Sequence, residues 1–274
     1  MHHEDAMVEL RGDAGCDLRR NALGADMRAG GPFDAAVAIC NADAEIGMDT
    51  LDALDALVEH SLVRRVETDQ GTTRFRMLNT IHEFSAEMLS ASGDMATLQR
   101  RHAEYVLSLV EEAAPRVTRD PVANQIPELE HGNVRAALAW SMKNGETEIG
   151  LRLASGLWRY WMLNSHLAEG RRWLTDLLAL PRASERTAQR APALTALGSI
   201  TYWQNDFDAT RRHYRESLEV FRQVGDRSGT IEALYNVGFP ALLEAQRVPR
   251  GAGLDRPDSG RGAAAIPMRR RPAS

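Results

Sequence analysis

Histidines and cysteines are the side chains in this chain best suited to bind a metal or to transfer protons. The chain has eight histidines and two cysteines. No His-Glu-x-x-His motif and no close cysteine pair places two ligands on one surface. His2 and His3 are adjacent, yet no further ligand follows at a suitable spacing. His102 falls on the apolar face of a predicted helix, where a structural role is expected. The sequence therefore predicts no metal site and no catalytic residue.

Nucleotide chemistry would need a phosphate-binding loop, in which glycine backbone amides and one lysine surround the phosphates. Lys143 is the one lysine of the chain, and it is followed by Asn144 rather than by serine or threonine. It also lies at the end of a helical pattern. The sequence therefore predicts no nucleotide binding, no cofactor and no enzymatic activity.

The net charge of −5 conceals an uneven distribution. Residues 1–246 are acidic overall, whereas residues 247–274 contain seven arginines and two aspartates. An acidic body is a poor match for a nucleic-acid backbone. No apolar run approaches the roughly 20 residues that span a bilayer. Two cysteines do not make a disulfide framework, and Cys40 is expected to be a buried apolar residue. These features favour the cytoplasm and predict no membrane partner.

The C-terminal half repeats itself at a spacing of forty residues. Leu194, Leu197 and Gly198 recur as Leu234, Val237 and Gly238, and Ser165-His166-Leu167 aligns with Asn205-Asp206-Phe207. A period of roughly 34–47 residues that contains two helical patterns is typical of an α-solenoid. The repeat predicts TPR-like (tetratricopeptide-like) helix pairs at about 146–180 and 189–225, and a last helix at about 229–246.

A different pattern precedes the repeats. Leu51, Leu54, Leu57 and Val58 lie on one face of a predicted helix. Residues 62–67 and 73–77 then alternate with period two around a turn, which predicts a β-hairpin. With the helix that follows, these elements outline a winged helix. A longer helix is predicted over 95–114, where Pro115 would end it.

Together, these patterns predict a mainly α protein with five segments. Residues 1–28 are expected to be poorly ordered, and residues 29–90 to form a small winged-helix-like domain with one β-hairpin. Residues 91–127 are predicted to be a connecting helix and linker. Residues 128–246 are predicted to form a TPR-like α-solenoid of three to four helix pairs. Residues 247–274 are predicted to be a disordered basic tail.

A binding surface for a protein or small effector is predicted on the helical array. Most aromatic residues there follow helical spacing and are expected in the core. Tyr160 and Trp203 each lie one position beside an apolar stripe, so they are the aromatics least expected in the core. With Arg159, Arg171 and Arg211 they could line the concave face.

DNA binding through the wing is the less favoured alternative. The predicted wing carries Arg64, Arg65, Arg74 and Arg76. The helix that would enter the groove carries Asp49, Asp52, Asp55 and Glu59, which would repel phosphates. DNA is therefore an unfavoured partner for this chain alone.

The last repeat is predicted to leave an apolar strip exposed. This strip includes Leu234, Val237, Leu242 and Leu243, because the arginine-, glycine- and proline-rich residues that follow do not continue the helical pattern. The helix is therefore expected to fray or to mediate self-association.

Several stretches within about 29–245 carry a resemblance to a known family. They are Ala29-Gly30-Gly31-Pro32-Phe33-Asp34, residues 51–63, residues 74–84, residues 128–138 and Gly170-Arg171-Arg172-Trp173-Leu174. In combination they resemble the actinobacterial STAND-class transcriptional regulators, which are MalT- and AfsR-like and LuxR-family proteins with a P-loop ATPase, a winged helix and a TPR-like array. The resemblance implies the sensor half of such a regulator without its ATPase. A truncated, non-functional gene product is a further alternative.

Overall fold

The fold is known from a computed structural model that describes residues 31–40, 49–68, 71, 73–77, 79–119, 131–184 and 187–247. The predicted N-terminal segment 1–28 lies outside these ranges, and so do residues 248–274 of the predicted tail. The described chain is mainly α-helical with one small sheet, so the predicted fold class is confirmed.

The N-terminal elements have the order of a winged helix. They are β1 (Gly31–Pro32), α1 (Phe33–Cys40), α2 (Thr50–Glu59), β2 (Val63–Glu67), β3 (Thr73–Met77) and α3 (Asn79–Ser92). The antiparallel sheet has the order β1-β3-β2. It contains one strand more than the predicted hairpin. Two residues are too few to show an alternating pattern, and Pro32 is tolerated because β1 lies at the sheet edge.

Local sequence explains the α2–wing unit. The Asp49 carboxylate accepts the backbone N–H of Leu51 at 2.7 Å, which caps α2. Leu57 of α2 packs in one cluster with Leu62, Val63 and Met77 of the wing region. The apolar face of α2 is thereby held against the sheet, and its acidic face is left outward.

Helix α4 (Met95–Arg119) joins the two halves of the molecule. Leu98 packs with Ile39 of α1, and Val110 packs against Gly156 of the array. The prediction that Pro115 ends this helix is wrong, because α4 continues through it. Pro115 cannot donate to the carbonyl four residues earlier, but Pro115 is exposed and near the helix end, so solvent can satisfy that carbonyl.

Six helices and a short 3₁₀ turn form the array. They are α5 (His131–Asn144), α6 (Thr147–Leu163), α7 (Leu167–Leu178), the 3₁₀ turn (Pro181–Ser184), α8 (Arg190–Trp203), α9 (Phe207–Val224) and α10 (Arg227–Arg247). The pairs α6–α7 and α8–α9 match the helices predicted at 146–180 and 189–225. Helix α10 matches the last predicted helix.

The turns between array helices share one backbone geometry. At each turn, one residue adopts a left-handed backbone conformation. The N–H group of the next residue donates a hydrogen bond to the carbonyl five positions before it, which is the Schellman pattern. The left-handed residues are Gly145, Ser165, Asn205 and Gly225, with φ between 61° and 75°. The following N–H groups, of Glu146, His166, Asp206 and Asp226, donate over 2.8–3.0 Å. Ser165 and Asn205 are forty residues apart, so the sequence repeat reflects a repeated turn.

Helices α4 to α8 enclose one continuous core. Leu157, Trp161, Leu174 and Leu197 belong to it, each at most 3% exposed. Cys40 lies outside this core, beside α4, and is also buried, as predicted. Burial raises the pKa of its thiol to about 12, so it stays protonated at neutral pH. Within the described part, no helix has an apolar stretch long enough to cross a bilayer.

Candidate interaction surfaces

The wing presents two arginines directly opposite each other. Arg64 of β2 and Arg76 of β3 are cross-strand partners, and both are exposed. Like charges in this position repel each other, so an anionic group bound between them would be stabilising. The other two arginines of the predicted patch are engaged elsewhere. Arg65 forms an ion pair with Asp55, and Arg74 is buried.

Helix α2 occupies the position of the recognition helix, immediately before the wing. Asp52 and Glu59 are exposed, and Asp55 is partly exposed beside Arg65. Asp49 caps the first turn. The helix contains no arginine or lysine. Its outward face is therefore acidic, as predicted.

Tyr160 does not lie on an exposed face of the array. It is 4% exposed, and its ring packs near those of His131 and His166, with centroids 5.7 Å and 6.3 Å away. The prediction that Tyr160 stands outside the core is therefore wrong. Helix α6 contacts α4, α5, α7 and α8, so its buried face is wider than one apolar stripe.

The other four predicted contact residues lie in separate environments. Trp203 is 54% exposed at the end of α8, as predicted. Arg171 donates to Asp206 at 2.7 Å and to Gln204 at 2.9 Å, which ties α7 to the α8–α9 turn. Arg211 pairs with Asp208 within α9. Arg159 stacks on Trp158, 4.3 Å from the ring centroid. Whether these residues bind a partner stays a prediction.

A compact polar cluster joins α5 to α7. Both carboxylate oxygens of Glu169 accept hydrogen bonds from Arg135 at 2.6 Å, and one of them accepts Trp173 Nε1 at 3.2 Å. His131 Nε2 lies 3.5 Å from the same carboxylate. The ring of His131 is 5.0 Å from that of His166, centroid to centroid.

The cluster favours a charged Glu169 and a neutral His131. The hydrogen bonds from Arg135 lower the pKa of Glu169 to about 2, although partial burial opposes this shift. Burial and the positive charge of Arg135 lower the pKa of His131, although Glu169 raises it. Neutral imidazole beside an Arg–Glu pair serves packing at pH 7. The cluster therefore acts as a structural clamp, and no group of three or more potential metal ligands occurs in the described residues.

No sequence motif links His131 to His166, so the sequence analysis did not predict this cluster. His131 begins α5 and His166 immediately precedes α7, so both lie at helix starts. Glu169 and Trp173 are four residues apart on α7, which places them on one face. This spacing of Glu169 and Trp173 was the sequence feature from which part of the cluster could have been predicted. Pairing Glu169 with Arg135 required knowledge of how α5 and α7 are placed around α6.

Comparison with known proteins agrees with this architecture. Residues 28–90 match the family model of the winged helix-turn-helix domain. The β1-β3-β2 sheet, helices α1 and α2 and all but the last two residues of α3 lie in this range. Over 229 residues the chain is 34% identical to proteins of Mycobacterium tuberculosis strain H37Rv and Mycobacterium bovis, each named as an HTH-type transcriptional regulator.

The similarity covers 79% of this chain and 25% of each relative. The chain therefore spans about a quarter of the length of these curated relatives. No solved structure matches it. The domain match shows a winged helix-turn-helix domain in residues 28–90.

Proposed function

We propose that this chain is a non-enzymatic regulatory module of a transcription regulator, and that it binds protein segments or a small effector rather than DNA. The winged helix-turn-helix match and the similarity to HTH-type transcriptional regulators support the regulatory part. The resemblance to STAND-class regulators extends the proposal to a sensor role, in the cytoplasm, for the TPR-like array.

The acidic face of α2 is the main observation in favour of a protein partner rather than DNA. A recognition helix must approach the phosphates on both sides of the major groove, and DNA-binding surfaces are therefore dense in arginine and lysine. Asp52, Asp55 and Glu59 lie on α2 without a basic residue in the helix. Arg65, the nearest wing arginine, is already paired with Asp55. Helix α2 is thus better suited to a basic protein surface than to DNA.

The effector surface is proposed on the array, near Trp203. An exposed indole is a common anchor in protein interfaces. Arg171 and Arg211 are partly exposed on the neighbouring helices α7 and α9. Arg159 is half-buried on α6. Tyr160 is excluded from this surface because it is buried.

DNA binding through the wing is the second candidate. The exposed Arg64–Arg76 pair favours it, because two adjacent guanidinium groups suit one phosphate group. This contact would not involve α2.

A mobility-shift experiment separates the two candidates. The full chain should show no sequence-selective DNA binding at nanomolar concentration and moderate salt, with competitor DNA present. Selective binding that is lost in Arg64→Ala/Arg76→Ala but kept in Lys143→Ala would overturn the proposal in favour of the wing. Lys143 is the matched control, because it is an exposed cation on α5, away from the wing.

A further inference from the structure

Helix α10 repeats the pattern of α8 forty residues later, but its surroundings differ. Leu234, Val237 and Gly238 of α10 correspond to Leu194, Leu197 and Gly198 of α8. The two helices can therefore be compared position by position, with α8 showing how this face is normally covered.

Helix α9 covers α8 in antiparallel register. A Cβ on Gly198 would lie 2.6 Å from the ring of Tyr214, so glycine is needed to make room for that ring. Nearby, Thr195 Oγ1 and Ser217 Oγ are 2.8 Å apart. Leu194 is 2% exposed in this interface. The first helix of a pair is thus buried by the second.

Within the described residues, no element covers the same face of α10. Ile231 is 70% exposed, whereas Ala191 at the corresponding position of α8 is fully buried. Leu234 is 48% exposed, against 2% for Leu194. A Cβ on Gly238 would meet no atom of the described residues within 4 Å. The glycine slot that holds Tyr214 in the α8–α9 pair is therefore repeated on α10, where no described side chain fills it.

Ile231, Leu234, Tyr235 and Gly238 are here named the open face. Their spacing of i, i+3, i+4 and i+7 places them on one stripe of α10, and Tyr235 is 66% exposed. The side chains of Leu242 and Leu243, which were predicted to extend this strip, lie outside the described part. Val237 is partly buried against the α8–α9 cluster, so it belongs to the opposite side.

Residues 248–274 are a poor source of a covering helix. Residues 248–274 contain four prolines and four glycines, which disfavour helix. The occupant must be helical to continue the α8–α9 type of interface. It must also carry an aromatic ring for the slot at Gly238.

We propose that this occupant is the open face of a second copy of the chain. An antiparallel pair of α10 helices, related by a two-fold axis between positions 236 and 237, places Tyr235 of each copy over Gly238 of the other. This repeats the contact of Tyr214 with Gly198 twice. The slot and the ring lie on the same stripe, so the face is complementary to itself, as a two-fold interface requires.

The self-association should be weak and dependent on concentration. Stable interfaces bury about 800 Å² on each partner, and the open face supplies only three large apolar side chains. The dimer is therefore expected to dissociate in roughly the micromolar range. This proposal does not depend on the proposed function.

Sedimentation velocity over an approximately hundredfold concentration range tests the proposal. The wild-type chain should shift from monomer to dimer. Gly238→Ala should weaken the dimer by about tenfold or more, because its methyl group fills the slot. It should not lower the unfolding midpoint, because the added Cβ meets no atom and alanine favours helix. Tyr235→Ser should weaken the dimer similarly, and Glu232→Gln, an exposed change on α10 outside the open face, should leave it unchanged.

Three outcomes would overturn the proposal. A chain that stays monomeric, or a dimer that Gly238→Ala and Tyr235→Ser leave intact, shows that the open face is not the dimer contact. A monomer that instead binds a synthetic peptide with the sequence of Phe207–Val224, in a manner abolished by Gly238→Ala, shows that the face accepts a different helix.

Discussion

At the scale of single residues, Glu169 holds the start of the array together. It accepts two hydrogen bonds from Arg135 and one from Trp173, and its side chain is 13% exposed. A carboxylate with this many donors, partly shielded from water, contributes more than an exposed ion pair does.

Glu169→Gln should therefore lower the free energy of unfolding by about 1–3 kcal/mol at pH 7. The pKa of Glu169 falls from 4.5 to about 2 on folding. Its contribution is thus complete above about pH 4.5 and is lost as the pH falls towards 2. Urea unfolding of wild type and variant at several pH values measures the difference in the free energy of unfolding. The difference between wild type and variant should shrink below pH 4.5.

Glu112→Gln provides the control for this prediction. Glu112 pairs with Arg116 on α4, but both side chains are at least 66% exposed. Removal of such a pair should change the free energy of unfolding by less than about 1 kcal/mol. An equal loss in the two variants would contradict the role given to Glu169.

The residues of the candidate surface were predictable from sequence only in part. Trp203 is exposed as its position beside an apolar stripe predicts, whereas Tyr160 has the same kind of position and is buried. The difference arises from packing, since α6 has neighbours on several sides while the end of α8 does not. The periodicity of apolar residues identifies one buried face of a helix. It does not show how many other helices pack against the remaining faces.

At the scale of elements, the Schellman turns define the length of the array helices. Ser165 adopts φ 63°, which costs an L-residue about 1 kcal/mol relative to glycine. Gly225 occupies the equivalent position after α9, with φ 75°. The sequence repeat indicated where these turns lie, because Ser165-His166 aligns with Asn205-Asp206.

Ser165→Gly should raise the free energy of unfolding by about 0.5 kcal/mol, since the relief of backbone strain outweighs the added freedom of the unfolded chain. Gly225→Ala should have the opposite sign and cost about 1 kcal/mol. No atom of the described residues lies within 4 Å of the added Cβ at Gly225, so the expected cost is conformational. Thermal unfolding of both variants measures the effect. Effects of the same sign would contradict this account of the turns.

One strand and the end of one helix escaped sequence prediction for identifiable reasons. Strand β1 has two residues, Gly31 and Pro32, neither of which favours a strand, and it forms because the β3 edge is available. Helix α4 passes Pro115 because Pro115 is exposed and its missing N–H removes one internal hydrogen bond. Tertiary contacts and solvent exposure, rather than local propensity, determine both.

At the scale of the whole molecule, ion pairs link several helices of the array to a helix that lies next to it or one further along the chain. Arg135 joins α5 to α7, Arg171 joins α7 to the α8–α9 turn, and Arg190 joins α8 to Glu216 of α9. In such arrays each unit is stabilised by its neighbours, so a terminal unit with one neighbour is the least stable. Helix α10 contacts α9 and, to a small extent, α8.

Amide hydrogen exchange should therefore resolve α10 from the rest of the array. In dilute, monomeric protein, residues 229–246 should exchange much faster than residues 190–222, because α9 and α8 are the described helices that α10 contacts. At concentrations where the proposed dimer forms, protection of 229–246 should rise, whereas protection of 190–222 should stay constant. In Gly238→Ala the protection of α10 should be independent of concentration. Equal protection of the two segments in a dilute wild-type monomer would contradict the prediction, because it would require that α10 is already covered within one copy.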